Sequence, residues 1–289
     1  MNTKTEANNV KVTIITVCYN CEDTIESTLE SVLNQSYLNI EYIIVDGCST
    51  DNTVNIIKKH PDSRIKLIVE PDDGIYDAMN KGFMLATGEL VHFLNSGDYF
   101  IDNKIIDKLV RTVAEDTNYD GLYGDIMKYG VKNQLIKLKR PANIHMLAHG
   151  MCHQALFVKK SSYSNEIPFN TDFKIFADWA WLLDELFYKG MKLKYINEPI
   201  VYYKDGGVSE LDGKKHSYEE IQIINRHLNH VLKNNSMLIN YPREFIYLFF
   251  KYIYLFSRCL LYCPILQKTD SWSHVSPQKS SNDLDSHMK

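Results

Sequence analysis

Four times in the first hundred residues an apolar, β-rich run ends on a carboxylate or a small polar turn, and this rhythm constrains the fold more than any other feature. Val12-Thr13-Ile14-Ile15-Thr16-Val17 runs into Cys18-Tyr19-Asn20, and Tyr42-Ile43-Ile44-Val45 stops at Asp46-Gly47-Cys48-Ser49-Thr50-Asp51. Ile65-Lys66-Leu67-Ile68-Val69 stops at Glu70-Pro71-Asp72-Asp73-Gly74, and Leu90-Val91-His92-Phe93-Leu94 at Asn95-Ser96-Gly97-Asp98. Short, nearly continuous apolar strands are buried on both faces, as in a parallel sheet covered by helices. Helical stripes separate them: Ile25, Leu29, Val32 and Leu33; then Val54, Ile56 and Ile57 behind Ser49 or Thr50 as cap; then Ile75, Met79, Phe83 and Ala86, stopped by Gly88. Strict alternation of strand and helix predicts an α/β domain with right-handed crossovers. In such sheets ligands bind beyond the carboxyl ends of the strands, so the acid-rich ends describe one crevice.

With 289 residues and 45% apolar side chains the chain can bury a sizeable core in one large or two small domains. A net charge of −4 argues against nucleic acid as the main partner. The first nine residues are polar and carry no apolar leader segment, which predicts a cytoplasmic, reducing location. Six cysteines in so long a chain make no disulfide framework. Cys18-x-x-Cys21 has the spacing of a redox or zinc pair, but no second pair accompanies it and Cys18 falls at a strand end, which favours packing. A dinucleotide oxidoreductase lacks its Gly-x-Gly-x-x-Gly here, and an NTPase its Gly-x-x-x-x-Gly-Lys loop.

Thr16-Val17-Cys18-Tyr19-Asn20, Val45 through Asp51, and Phe93 through Asp98 resemble the signature turns of the GT-A glycosyltransferases, and more narrowly those of inverting family 2. Asp72-Asp73-Gly74-Ile75-Tyr76-Asp77-Ala78-Met79-Asn80-Lys81-Gly82 is similar to a subgroup that builds bacterial surface polysaccharides. Phe176-Ala177-Asp178-Trp179-Ala180-Trp181-Leu182-Leu183 looks like the family's acidic motif, and Gly206-Gly207-Val208-Ser209 like the subgroup's closing turn. The implied fold is GT-A: an α/β, Rossmann-like, mostly parallel central sheet flanked by helices, with a C-terminal helical extension. The catalytic domain would span 10–230, with 10–100 the nucleotide-binding half and 101–230 the acceptor-side half. The implied activity is inverting transfer of a hexose from a nucleotide-sugar, a UDP-sugar by expectation. The acceptor would be a polyprenyl diphosphate-linked saccharide of O-antigen, capsule or exopolysaccharide assembly. A non-catalytic nucleotide-sugar-binding protein and a nucleotidyltransferase are the alternatives. The former is suggested by Asn95 and Gly97, which stand where the family commonly has Asp; the segment before the first helix lacks the glycine- and basic-rich loop of the latter.

Asp46 could accept the N3 proton of a uracil ring, or simply start a turn. With Thr16, Tyr19, Asn20, Asp73, Asn95 and Ser96 at neighbouring strand ends it would form the donor site. Lys81 either offsets phosphate charge or faces water. Asp98 is the only carboxylate left in its turn and the expected ligand for Mn²⁺ or Mg²⁺, an ion that would neutralise the departing diphosphate. Most other ligands would then come from the diphosphate and water. Asp178 is the expected base that takes the acceptor hydroxyl's proton, though it could also cap its helix. His153, Gln154 and Trp179 would contact the acceptor or the diphosphate, with a structural hydrogen bond the equal alternative for His153.

Two strands are expected at 121–128 and 134–139, and another at 155–158. Tyr202, Tyr203, Trp179 and Trp181 could stack on sugars or lie in the core. Residues 242–266 are strongly aromatic, with Arg243, Lys251 and Arg258 on one face. That pattern suits an amphipathic helix in the membrane interface better than a span. It predicts a protein peripheral on the inner face of the cytoplasmic membrane, against the rival that this helix packs on the domain or a second subunit. Residues 269–289 lack periodicity and are expected to be disordered.

Overall fold

The structure is a computed structural model that describes residues 10–130, 133–138, 152–204, 213–233, 246 and 249–253. The turn at Gly206–Ser209, His149 to Met151, most of 242–266 and all of 269–289 lie outside the described residues. The first strands match their patterns: β1 (Val12–Cys18), β2 (Ile40–Asp46), β3 (Ile65–Val69) and β4 (Leu90–Phe93) pair in parallel in the order β3-β2-β1-β4. Every residue of β1 is buried, as its unbroken apolar run requires. The intervening helices α1 (Ile25–Leu33), α2 (Thr53–Lys58) and α3 (Ile75–Leu85) begin and end close to the predicted stripes. Ile25, Leu29 and Val32 of α1 are fully buried.

Beyond β4 the sheet becomes mixed. β8 (Leu156–Lys159) runs antiparallel to both β4 and β6 (Gly121–Tyr129), β7 (Gln134–Ile136) pairs antiparallel with β6, and β9 (Leu193–Lys204) runs parallel to β6. β5 (Tyr99–Phe100) closes the far edge against β9; the sheet is parallel through the nucleotide half, and half of its pairings overall are antiparallel. The register of β6 on β9 slips at Gly124 and Asp125, where Pro199 enters the pairing; a strand that must carry a proline carries it at a bulge. Asp125, buried there, accepts from the Leu138 N–H and the Tyr195 hydroxyl, each at 2.7 Å.

Three helices complete the layers: α4 (Ile105–Glu115), α5 (Ala177–Tyr188) and α6 (Gly213–Lys233). α4 buries Ile105, Ile106, Leu109 and Val110, one stripe at helical spacing. The buried stripe of α6 mixes Ile223, Ile224 and Leu228 with Glu219 and His227.

Candidate active site

The loops after β1 and β2 are laced together. The Asn20 N–H donates to Ser49 Oγ (2.8 Å), the Thr50 N–H to Asn20 Oδ1 (2.9 Å) and the Glu22 N–H to Asp51 Oδ2 (3.0 Å). Asn20 takes a positive φ of 50°, a conformation asparagine tolerates, to make this link. Asp46 is fully buried beneath the lacing. Its oxygens accept from the Ser49 N–H (2.8 Å), the Ser49 hydroxyl (2.5 Å) and the Cys18 thiol (3.5 Å). In this geometry Asp46 hydrogen-bonds within its own turn and to β1. Burial, with Asp46 alongside, pushes the Cys18 thiol far above its ordinary range, as suits a packed cysteine and not a reactive pair.

The carboxylate that does reach the strand ends is Asp72, which the sequence pattern does not set apart from its neighbour Asp73. A Cβ on Gly47 would stand 2.4 Å from Asp72 Oδ2 and 3.4 Å from the Tyr19 ring, so glycine lets this acid close over the end of β2. Tyr19 is exposed at 60%, open to a ligand. Asp73 is exposed, and its N–H donates to Asp77 Oδ2 at 3.1 Å. Thr16 does not reach the crevice: it is fully buried, with its hydroxyl 2.7 Å from the Leu94 carbonyl and 3.1 Å from Tyr42 Oη. It ties β1 to its neighbours. Lys81 likewise serves the β3–α3 loop, donating to the Pro71 carbonyl at 2.6 Å and pairing with Asp77 at 2.9 Å and Glu70 at 3.6 Å.

The 95–98 turn is held from below. Gly97, at φ 97°, donates its N–H to Thr28 Oγ1 (2.9 Å), and the Thr28 hydroxyl donates to the Asp98 carbonyl (2.8 Å). Ser96 Oγ lies 3.1 Å from Thr24 Oγ1. The Asp98 carboxylate is 4% exposed; Oδ1 accepts the Lys204 N–H and Oδ2 the Gln154 amide, both at 2.9 Å. Burial raises its pKa to about 6 although those two bonds favour the charged form. Both oxygens thus face protein donors, and among the described residues no group of three His, Cys, Asp or Glu could hold a metal ion. Each Asp98 oxygen keeps a further lone pair, so an ion that arrived with a donor diphosphate would use this carboxylate beside diphosphate and water oxygens.

Opposite this turn is a second acid. Asp178 stands in the first turn of α5, its side chain 15% exposed. Oδ1 accepts the Trp179 N–H and lies 2.8 Å from the Tyr76 hydroxyl; Oδ2 is 2.7 Å from His153 Nδ1. His153 Nε2 in turn lies 3.0 Å from Asn95 Nδ2. Residues from α3, the 95–98 turn, the 3-10 turn His153–Ala155 and α5 therefore converge on one carboxylate. Asp178 thus also satisfies one first-turn N–H of α5, while Glu219 of α6 accepts the N–H groups of Lys174, Ile175 and Phe176 just ahead of the helix at 2.8, 2.9 and 3.1 Å. Tyr76 and Glu219 are not evident in the sequence: one reads as a core aromatic, the other as an ordinary surface acid.

Of the two outcomes open to the aromatic side chains, packing is the one their contacts show. Trp179 is 3% exposed, with Lys251 Nζ 4.8 Å over its ring, and so faces the C-terminal segment rather than the crevice. Trp181 is buried and stacks on Tyr163 at 4.7 Å, while Tyr202 stacks on Tyr99 at 4.8 Å. Tyr203 packs against the core. Lys251 also pairs with Glu220 at 3.1 Å, so its charge, expected at a membrane surface, is docked on α6. Tyr252 packs on the core, whereas Ile246, Phe249, Phe250 and Ile253 are 46–64% exposed. No described helix is long and apolar enough to cross a membrane.

Comparison with known proteins agrees with this geometry. Residues 13–181 match the family described as glycosyl transferase family 2. The UDP-Glc:alpha-D-GlcNAc-diphosphoundecaprenol beta-1,3-glucosyltransferase WfaP of Escherichia coli is 46% identical over 198 residues, covering 67% of this chain and 76% of WfaP. In fold, the chain resembles Staphylococcus aureus TarS 1-349 in complex with UDP (TM-score 0.59, 18% identity, 75% of this chain and 65% of TarS 1-349). It also resembles the mannosyltransferase PcManGT of Pyrobaculum calidifontis in complex with GDP-Man and Mn²⁺ (TM-score 0.60, 19% identity, 76% and 64%). The likeness of fold confirms the GT-A architecture of a mixed sheet flanked by helices. With more than half of its length inside the matched region, the chain belongs to glycosyl transferase family 2.

Proposed function

We infer that this chain transfers a hexose, with inversion, from a UDP-sugar to a lipid-linked saccharide in the assembly of a bacterial surface polysaccharide. The observation that carries the reading is the Asp178 corner. A carboxylate fixed by His153, Tyr76 and the Trp179 N–H keeps lone-pair capacity for one more donor, the acceptor hydroxyl. As that hydroxyl oxygen bonds to the anomeric carbon, its proton passes to Asp178. The bond from that carbon to the diphosphate oxygen breaks on the opposite face, and the diphosphate leaves with the electron pair. Single displacement of this kind needs one carboxylate, not the two of a glycoside hydrolase. Tyr19 and Asp72, at the ends of β1 and β3, are the open groups for the nucleotide, with Asn20 and Asp46 shaping the loops beneath it. A divalent ion bound with the diphosphate would be held by Asp98 and would supply charge neutralisation for the leaving group; the proton transfer rests on the chain's own side chains.

The uridine donor and the polyprenyl diphosphate acceptor are supported by the specificity that WfaP's name states and by the UDP bound to TarS. Attachment to the inner face of the cytoplasmic membrane is supported by Ile246, Phe249, Phe250 and Ile253, exposed at i, i+3, i+4 and i+7. The deciding experiment incubates the purified chain with a panel of nucleotide-sugars and a polyprenyl diphosphate-linked N-acetylhexosamine. Anomeric configuration is read by NMR. Transfer from a UDP-sugar with inversion is expected; absence of any transfer, with donor binding intact, would favour a non-catalytic binding protein.

A further inference from the structure

We propose that His153 is a positioning residue for Asp178, and that Asn95 holds His153 in the tautomer this requires. The 95–98 turn, where a metal-binding acid would be expected, is on this account a bracket for the base. The proposal rests on the assignment of Asp178 as base.

Asn95 and Asp98 take two consecutive residues of the 3-10 turn His153–Ala155: Asn95 meets His153, and Asp98 accepts from Gln154. The Cys152 thiol donates to Gln154 Oε1 at 2.7 Å, which leaves the Gln154 amide N–H₂ to face Asp98. The 95–98 turn is also pinned by the Thr28 hydroxyl and by the Tyr129 hydroxyl, which donates to the Gly97 carbonyl. His153 is thereby fixed relative to β4 and α1, elements that do not carry Asp178.

The chemistry of the contacts then fixes the proton. Asn95 presents Nδ2, a donor only, to His153 Nε2 at 3.0 Å. The Asp178 carboxylate, 2.7 Å from Nδ1, can only accept, so Nδ1 carries a proton, and Nε2 of the neutral ring is left to accept from the Asn95 amide. The other end of the Asn95 amide shows what this arrangement costs: Asn95 Oδ1 is buried and has no hydrogen-bond partner among the described residues. An amide that served packing alone would satisfy its acceptor. The Nδ1–H on Oδ2 and the Trp179 N–H on Oδ1, with the Tyr76 hydroxyl shared between Oδ1 and the Ile175 carbonyl, hold the carboxylate plane. The remaining lone pair of Oδ2 stays aimed for the acceptor hydroxyl. Orientation of a base by a hydrogen-bonded partner is the same logic that orients the histidine of a hydrolase triad, with the roles of acid and imidazole exchanged.

The test uses the full chain, donor and lipid-linked acceptor, and compares wild type with His153→Leu, His153→Asn, Asn95→Ala, Asp178→Asn and the double variant Asp178→Asn/His153→Leu. His153→Leu should lower kcat about 10–100-fold, part of the full general-base contribution, with donor KM changed less than about 2-fold. His153→Asn, whose amide N–H falls close to the place of Nδ1, should recover several-fold of that loss. Asn95→Ala should lower kcat in the same sense. On the Asp178→Asn background, His153→Leu should cost nothing further, because a positioning residue acts only through the group it positions. A folded His153→Leu enzyme with wild-type kcat, a loss confined to KM, or an equal loss on the Asp178→Asn background would each overturn the proposal. Should His153→Leu fail to fold, His153→Asn and Asn95→Ala carry the comparison, and wild-type kcat in both would overturn it equally. Full turnover by Asp178→Asn itself would instead remove the base assignment, a separate and recognisable failure.

Discussion

Asp98 shows how far a single side chain can depart from the role its motif suggests. It sits where a metal ligand would be expected, yet it is nearly fully buried and spends both oxygens on Lys204 and Gln154. Its pKa of about 6, raised from 3.8 by burial, gives a pH signature. The folded state holds this proton more tightly than the unfolded chain, so stability from Asp98 is present below pH about 4 and is lost as pH rises through about 6. A rise of this size corresponds to about 3 kcal/mol at most. Comparing urea unfolding of wild type and Asp98→Asn at several pH values isolates the effect. The difference should favour wild type increasingly as pH falls from 7 to 4, and a difference independent of pH would show that Asp98 is not strained by burial. Other residues depart from their expected places for a related reason. Thr16 and Asp46 stand at strand ends, but a strand end has an underside as well as a mouth, and one-dimensional spacing does not distinguish them.

Among the secondary-structure elements, the join between α5 and α6 matters most, because α5 carries Asp178. Glu219 of α6 accepts three successive N–H groups just ahead of α5 and so ties the lead-in of that helix to α6. Replacing it by Ala leaves those donors without an acceptor and should destabilise the fold by about 1.5–3 kcal/mol, as for hydrogen bonds to a charged group. Urea unfolding measures this; a change below about 0.5 kcal/mol, typical of a surface substitution, would show that the tie is dispensable. The same join explains what was legible. Strands β1 to β4 and helices α1 to α3 follow from apolar periodicity alone, since their inward positions are mostly apolar. In α6 the inward stripe includes Glu219 and His227, so apolar spacing understates it. β5 is two residues long, and β9 carries Pro199 inside its pairing, which reads as a break rather than a strand. Asp178 and His153 stand out through resemblance, but their contact does not. They lie 25 residues apart, and only the tertiary fold brings them together.

For the whole molecule, the C-terminal segment presents two faces. Lys251 and Tyr252 dock on the domain, Lys251 beside Trp179, the neighbour of Asp178, while Ile246, Phe249, Phe250 and Ile253 remain exposed. If the exposed face lies in a lipid boundary, Phe250→Ser with Ile253→Ser should reduce co-sedimentation with phosphatidylglycerol-containing vesicles several-fold and leave the melting temperature unchanged. Unchanged vesicle binding would remove this face from the attachment. Docking of Lys251 also predicts that its replacement by Ala lowers stability by about 1 kcal/mol through the lost ion pair and ring contact, read by urea unfolding. A shift in vesicle binding without a shift in stability would place Lys251 at the lipid instead. On the proposed reading these features serve one reaction, a transfer in which Asp178 would act as the base. That assignment is tested by the turnover of Asp178→Asn with saturating donor and acceptor, alongside its donor affinity. A kcat lowered about 10²–10⁴-fold with donor affinity unchanged is expected; a variant that keeps most of the wild-type kcat would contradict it.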